Sequence, residues 1–207
     1  MYMEGSISDQ NARIQVSKLL VQENVSKYML RLQAERPEVF EHSINVAYLT
    51  AEIVLNSHFN ELKRKDGSEY IRDIITGALL HDIGKLEISN EILLKPGPLT
   101  DDEYYNCQKH TVYGYEMIKD DDSFSNVVKD IILSHHEKTD GTGYPNHRKA
   151  SDITIETQIV SVCDIYDAVT GQRPYRSSSD LLTALKILAC EPICLDVFLS
   201  LASCKDK

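Results

Sequence analysis

The sequence predicts an all-α protein, a compact bundle of about seven helices. Apolar residues recur at steps of three and four along most of the 207 residues, no segment alternates apolar and polar residues over a convincing strand length, and no internal repeat is present. Apolar residues make up 42% of the chain and charged residues 26%, which is the balance of a globular protein. An intrinsically disordered or fibrous chain is therefore excluded.

Helix boundaries follow from local signals. Thr100 and Glu103 form a capping box directly after a proline-rich loop, and Gly171 is a suitable C-terminal cap for the helix before it. The segments predicted to be helical are Ile14 to Leu32, His42 to Leu62, Tyr70 to Leu80, Thr100 to about Lys119, Asn126 to His136, about Ile153 to Gly171, and a last helix from about Asp180. Residues 1–33 are expected to pack on the core or to pair with a second chain as a homodimer.

Charge and cysteine content limit the class of protein. Lys and Arg total 22 against 32 Asp and Glu, so the net charge of −10 argues against general binding to nucleic acid or to anionic lipid. Five cysteines without a CxxC pair indicate reduced thiols rather than a disulfide framework or a zinc knuckle. No secretory signal is visible, and charged residues interrupt the apolar stretch from Leu181 to Ala202. We therefore expect a cytoplasmic protein that does not enter a membrane.

Histidines and aspartates stand at predicted helix ends. His81-Asp82 closes one predicted helix and His135-His136 closes another, so two ions explain the two pairs better than one. Asp164 lies in an otherwise apolar run, where a carboxylate is costly unless it is paired or binds a cation. A single buried histidine is more often a core residue than a ligand, but this constellation favours a metal site.

Several further motifs occur in a fixed order around these residues. They are HDIGK (81–85), LLKPGPLT (93–100), the lone His110, HHE (135–137), DGTGYP (140–145), DIYDA (164–168) and RPYR (173–176). This set resembles the HD-GYP family of bacterial cyclic di-GMP phosphodiesterases, a branch of the HD metal-dependent phosphohydrolases, from about Glu38 to Leu188. The resemblance implies that residues 34–207 form an HD-domain-like catalytic domain with two or three divalent ions, iron or manganese, within a single globular unit.

The resemblance also implies roles for individual residues. The matched metal ligands are His42, His81, Asp82, His110, His135, His136 and Asp164, with Glu38 as the additional ligand of trinuclear members. Lys85, Arg173 and Arg176 match residues that hold substrate phosphates, and Asp82 and Lys85 are the expected catalytic pair. Asp167, grouped with the substrate residues, matches a carboxylate behind the ligands. Tyr144 and Pro145 lie in a loop implicated in contacts with diguanylate cyclases.

The predicted reaction is the hydrolysis of cyclic di-GMP to linear pGpG, with a second cleavage to GMP left open. A hydroxide that bridges two ions is a nucleophile at neutral pH and would attack phosphorus in line, while Lys85 neutralises charge on the non-bridging oxygens. Two alternatives stay open. In the first, the chain is an HD phosphohydrolase that acts on another nucleotide or cyclic dinucleotide. In the second, it is a non-catalytic protein that binds the cyclic dinucleotide or a cyclase.

Overall fold

The structure, a computed structural model, describes residues 7–56, 67–171, 181–193 and 195–205. Within these ranges it contains helices and no strand, so the predicted all-α class is confirmed. The α-helices are α1 (Ile7–Leu20), α2 (Glu23–Glu35), α3 (Pro37–Asn56), α4 (Gly67–Leu80), α5 (Asn90–Leu93), α6 (Asp101–Gln108), α7 (His110–Ile118), α8 (Asn126–Ser134), α9 (Ile155–Thr170), α10 (Leu181–Cys190) and α11 (Leu195–Lys205). Two 3₁₀ turns, Ile83–Glu87 and Ala150–Asp152, complete the described elements.

Helix α3 is the central element of the bundle. It packs against α1, α2, α4, α9 and α11, while α4 also packs against α8 and the 3₁₀ turn Ile83–Glu87 packs against α7. The apolar stripe predicted for α3 is buried, with Val46, Ala47 and Ala51 fully enclosed. Burial of this stripe on several sides fixes the positions of α4 and α9, and α4 in turn packs against α8.

The helices are shorter and more numerous than the predicted seven, since several predicted segments are interrupted. The segment from Ile14 to Leu32 is two helices, because Gln22 is extended between α1 and α2. Lys109 donates to the carbonyl of Asn106 over a tight turn, and this separates α6 from α7. The predicted last helix is also two, since Pro192 lacks the N–H that a continuing helix needs.

Local signals gave two boundaries correctly. The capping box of Thr100 and Glu103 is present at the start of α6, with both reciprocal hydrogen bonds formed. Gly171 follows the last residue of α9 as its C-terminal cap. No helix in the described ranges has the length and apolar character needed to cross a membrane.

The first two helices contribute to the core. Val16 and Leu19 of α1 and Val25 and Leu32 of α2 are almost completely buried. Val21, at the junction of the two helices, has the opposite environment, with 81% of its surface exposed. Residues 7–33 therefore bury one face on the bundle and leave apolar side chains on the other.

Candidate metal centre

Five separate elements bring the candidate ligands together. His42 projects from α3, His81 and Asp82 occupy the turn between α4 and the 3₁₀ turn, and His110 is the first residue of α7. The other ligands follow α8 (His135 and His136) or lie on α9 (Asp164). These residues are buried except for His136, which is partly exposed. The helix ends thus converge on one small, largely enclosed volume.

A close backbone approach places His110 beside the His81-Asp82 pair. A Cβ atom on Gly84 would lie 1.9 Å from the carbonyl oxygen of His110 and 2.5 Å from the amide nitrogen of Gly114. Only glycine at position 84 lets the 3₁₀ turn lie directly on α7. The HDIGK motif therefore supplies the ligands and the contact that positions a third one.

The donor atoms form three overlapping groups within which all atoms lie within 4.8 Å of one another. These groups are Asp82, His110, His135 and His136; His42, His81 and Asp82; and His81, His135 and Asp164. Asp82 belongs to two of them, with Oδ1 3.3 Å from His110 Nε2 and Oδ2 3.3 Å from His81 Nε2. Its carboxylate therefore faces two ligand groups, as a bridging ligand would.

Hydrogen bonds to backbone carbonyls set the orientation of three of the imidazoles. His81 Nδ1 donates to the Ala78 carbonyl at 2.8 Å and His110 Nδ1 to the Cys107 carbonyl at 2.8 Å. In the same way His135 Nδ1 lies 3.0 Å from the Ile132 carbonyl oxygen. These bonds place the proton on Nδ1 and leave the lone pair of Nε2 facing the centre, the arrangement of a metal-binding histidine.

Asp167 has the corresponding role for His42. Its Oδ2 accepts from His42 Nδ1 at 2.6 Å, while His42 Nε2 lies 2.9 Å from Asp164 Oδ1. A carboxylate behind an imidazole fixes the ring and raises its basicity. Asp167 thus contacts a candidate ligand directly.

The donor set fits divalent cations. His81 Nε2 and Asp82 Oδ1 are fully buried and have no hydrogen-bond partner, a costly state for polar atoms in the interior. His110 Nε2 and His135 Nε2 lie 3.3 Å apart, although both of their Nδ1 protons point to carbonyl oxygens. Two lone pairs facing each other beside a carboxylate are stabilised by a cation between them, so this buried cluster could hold metal ions.

The histidines of the centre differ in the direction of their pKa shifts. Burial acts to lower the pKa of His42, but the hydrogen bonds that His42 donates to Asp164 and Asp167 outweigh burial and raise that pKa to about 9. Burial lowers the pKa of His110 to about 3 and that of His136 to about 4. His110 and His136 are therefore neutral and available as ligands across the physiological pH range, whereas His42 is a positively charged imidazolium.

The acidic groups stay ionised despite their burial. Burial alone would raise the pKa of Asp82, yet the positive charge of Lys85, with the contacts to nearby imidazoles, holds it well below its usual range. Lys85 donates to Asp82 Oδ2 at 2.6 Å and keeps its own positive charge for the same reason. The centre therefore combines fixed anions with two cations, Lys85 and the protonated His42.

Not every predicted site residue joins the centre. Glu38 lies in the first turn of α3, is exposed, and belongs to none of the three ligand groups found in the described residues. Arg173 and Arg176 lie outside the described residues. Lys85 and Asp167 contact the ligands Asp82 and His42.

Sequence reasoning overlooked the contacts that hold the loop after α8. The buried carboxylate of Glu137 accepts from the amides of Asn146 and Arg148 at 2.7 and 2.9 Å. Arg148 in turn donates to Asp130 Oδ1 at 2.6 Å. The position of Glu137 directly after His135-His136 was the available signal, since a buried carboxylate needs partners.

Comparison with known proteins agrees with this geometry. The family model described as the HD domain matches residues 27–191. The chain belongs to the HD domain family. Its fold is similar to that of an HDG"Y"P protein from Bdellovibrio bacteriovorus, with a TM-score of 0.64, 18% sequence identity, and coverage of 97% of this chain and 71% of the other. The predicted membership of the HD superfamily is thereby confirmed, and so is the likeness in fold to an HD-GYP protein.

Two curated relatives of this HD domain are named phosphodiesterases. It is 34% identical to a cyclic di-GMP phosphodiesterase of Pseudomonas aeruginosa over 78% of this chain and 37% of the relative. It is 41% identical to the 3'3'-cGAMP-specific phosphodiesterase 3 of Vibrio cholerae over 54% of this chain and 24% of the relative. The HD domain thus spans well under half the length of these two relatives.

Proposed function

We propose that this HD domain is a metal-dependent phosphodiesterase that hydrolyses cyclic di-GMP to linear pGpG. The observation that carries the proposal is the pair of buried, unpartnered atoms, His81 Nε2 and Asp82 Oδ1, inside a cluster of imidazole and carboxylate donors. Nitrogen and oxygen donors without sulfur suit iron or manganese, and we propose one of these metals. The name of the Pseudomonas aeruginosa relative supports the choice of substrate.

Each residue of the centre has a role in this proposal. The ions, when bound, supply a water molecule of lowered pKa and attract the phosphate. Asp82 belongs to two of the donor groups and would hold an ion in each; the other residues that would hold the ions are His42, His81, His110, His135, His136 and Asp164. Asp167 holds the ring of His42 through Nδ1. Lys85 supplies positive charge at the phosphate next to Asp82, which lowers the cost of charge on the non-bridging oxygens.

The proposal includes several finer points. Arg173 and Arg176 bind the substrate phosphates, and Glu38 joins a third ion, both on the strength of the family motifs. The loop with Tyr144 and Pro145 contacts a diguanylate cyclase. The exposed Val21 supports a homodimer through the first two helices, and the free thiols of Cys107 and Cys163 support a cytoplasmic location.

A second candidate substrate is 3'3'-cGAMP, because a relative with 41% identity is named as specific for it. The two dinucleotides share the phosphodiester bonds that the centre would cleave and differ in one base. A non-catalytic receptor is less well supported, since a cluster of metal-binding donors is not needed to bind a dinucleotide. If the protein were only a receptor, the buried donor groups described above would have no catalytic role.

The test uses protein reconstituted without oxygen with Fe²⁺ or Mn²⁺. Cyclic di-GMP, 3'3'-cGAMP and mononucleotides are supplied separately, products are separated by chromatography, and metal content is measured by elemental analysis. We expect two or three ions per chain and linear pGpG as the first product. Turnover of mononucleotides alone would reject the proposal.

A matched pair of variants connects activity to the centre. Asp82→Asn retains the side-chain shape but removes the charge that faces two ligand groups, so metal content and hydrolysis should both be lost. Asp122→Asn changes an exposed carboxylate in the turn before α8 and should leave both unchanged. Full hydrolysis by the Asp82 variant would contradict the proposed mechanism.

A further inference from the structure

His136 differs from the other histidines of the centre in what orients its ring. His81, His110 and His135 each donate from Nδ1 to a backbone carbonyl, and His42 donates to Asp167. The nitrogen of His136 that faces Asp164 lies 3.8 Å from Oδ2, beyond hydrogen-bond distance. Within the described residues, therefore, His136 has no hydrogen bond of this kind behind its ring.

The ring of Tyr144 takes the place of such a bond. It stacks on the imidazole of His136 with centroids 4.8 Å apart and an interplanar angle of 30°. His110 closes another side, edge-on, at 5.1 Å and 86°. An imidazole held between one stacked ring and one perpendicular ring has little freedom to rotate.

The backbone around Tyr144 is tied to His136 itself. The amide of Tyr144 donates to the carbonyl of His136 at 3.2 Å. A Cβ atom on the preceding Gly143 would lie 2.5 Å from the same carbonyl oxygen, so the chain passes directly over it. Glu137 then holds the end of the loop through the amides of Asn146 and Arg148. The loop thus has a fixed register relative to the ligand that it covers.

We propose that Tyr144 is a positioning residue that orients His136 for metal binding through ring stacking, and that Glu137 keeps the Tyr144 loop in place. This inference rests on the proposed metal-dependent function. In this proposal the aromatic ring of Tyr144 acts by its contact with His136, and the hydroxyl group has no role. Phenylalanine at position 144 should therefore be sufficient, and an aliphatic side chain should not.

The experiment compares Tyr144→Phe and Tyr144→Ala with the wild-type protein in two measurements. Titration with Mn²⁺ gives the affinity of each metal site, and crystal structures of the metal-free proteins give the orientation of the His136 ring. We expect Tyr144→Ala to lower the affinity of the site that contains His136 by about 10- to 100-fold and to let the ring rotate. Tyr144→Phe should retain the wild-type affinity and orientation.

Two further variants separate ring stacking from a general effect on the surface. Tyr105→Ala removes an exposed tyrosine ring that contacts Lys109 and should change neither measurement. Glu137→Gln replaces one acceptor oxygen by an NH₂ group that cannot accept from an amide, so it should reduce the affinity in the same direction as Tyr144→Ala.

Wild-type affinity and an unrotated His136 in Tyr144→Ala would overturn the inference. If the wild-type protein bound neither Fe²⁺ nor Mn²⁺, the proposed function would fail, whereas the ring orientation in the metal-free crystals would still decide whether Tyr144 positions His136.

Discussion

Replacement of Gly84 by alanine tests the contact that assembles the centre. The new Cβ atom would lie 1.9 Å from the carbonyl oxygen of His110 and 2.5 Å from the amide of Gly114. Both neighbours are backbone atoms, so no change of rotamer relieves the clash. An ordinary contact begins at 3.4 Å, and the 3₁₀ turn and α7 must therefore separate by roughly 1.5 Å.

This separation has consequences for stability and for the centre. Overpacking of this kind costs about 1–3 kcal/mol, and at roughly 2–4 °C per kcal/mol the melting temperature should fall by about 2–12 °C. His110 also moves away from Asp82 Oδ1, which lies 3.3 Å from its Nε2. A displacement of about 1 Å at a reacting site lowers activity by on the order of 10²-fold.

The assay combines thermal unfolding with metal content and hydrolysis of cyclic di-GMP. Gly67→Ala is the matched control, because nothing lies within 4 Å of its added Cβ atom at the start of α4. That variant should be neutral or more stable by up to about 1 kcal/mol. Wild-type stability and metal content in Gly84→Ala would refute the reasoning that the close approach positions His110.

Three further predictions concern stability against pH, proton release on metal binding, and helix capping. The pKa of His110 is about 3 and that of His136 about 4 in the folded protein, below the usual 6.5 of the unfolded chain. The free energy of unfolding of the metal-free protein should therefore fall by about 1.4 kcal/mol per histidine for each pH unit below 6.5. Denaturant unfolding from pH 7 to 5 measures this fall, and a stability that does not change with pH would contradict it. The pKa of His42 is shifted in the opposite direction, to about 9, so Mn²⁺ must displace a proton from His42 to bind at pH 7. Calorimetry in buffers of different ionisation enthalpy should detect this proton release, and none would be seen if His42 were neutral. Thr100→Ala removes the oxygen that accepts from the amide of Glu103 and should lower the free energy of unfolding by about 1 kcal/mol, whereas Thr100→Ser should not; equal stability of the two variants would exclude a capping role.

The sequence by itself determined the all-α class, the helix ends at Thr100 and Gly171, and the set of candidate donors. These features depend on residues close together in the chain, through helical periodicity, capping and the placement of polar residues at helix ends. The resemblance to HD-GYP proteins rests on the same local motifs. Local information was sufficient because each motif lies within one turn or one helix end.

Only the tertiary structure decided how those donors meet. The helical period places Glu38 and His42 on one face, yet Glu38 is exposed and His42 is buried against Asp164. The stacking of Tyr144 on His136 depends on how the intervening loop folds back. The contact between His42 and Asp164 joins helices far apart in the chain, and the geometry of such contacts is fixed by packing of the whole bundle rather than by local propensity.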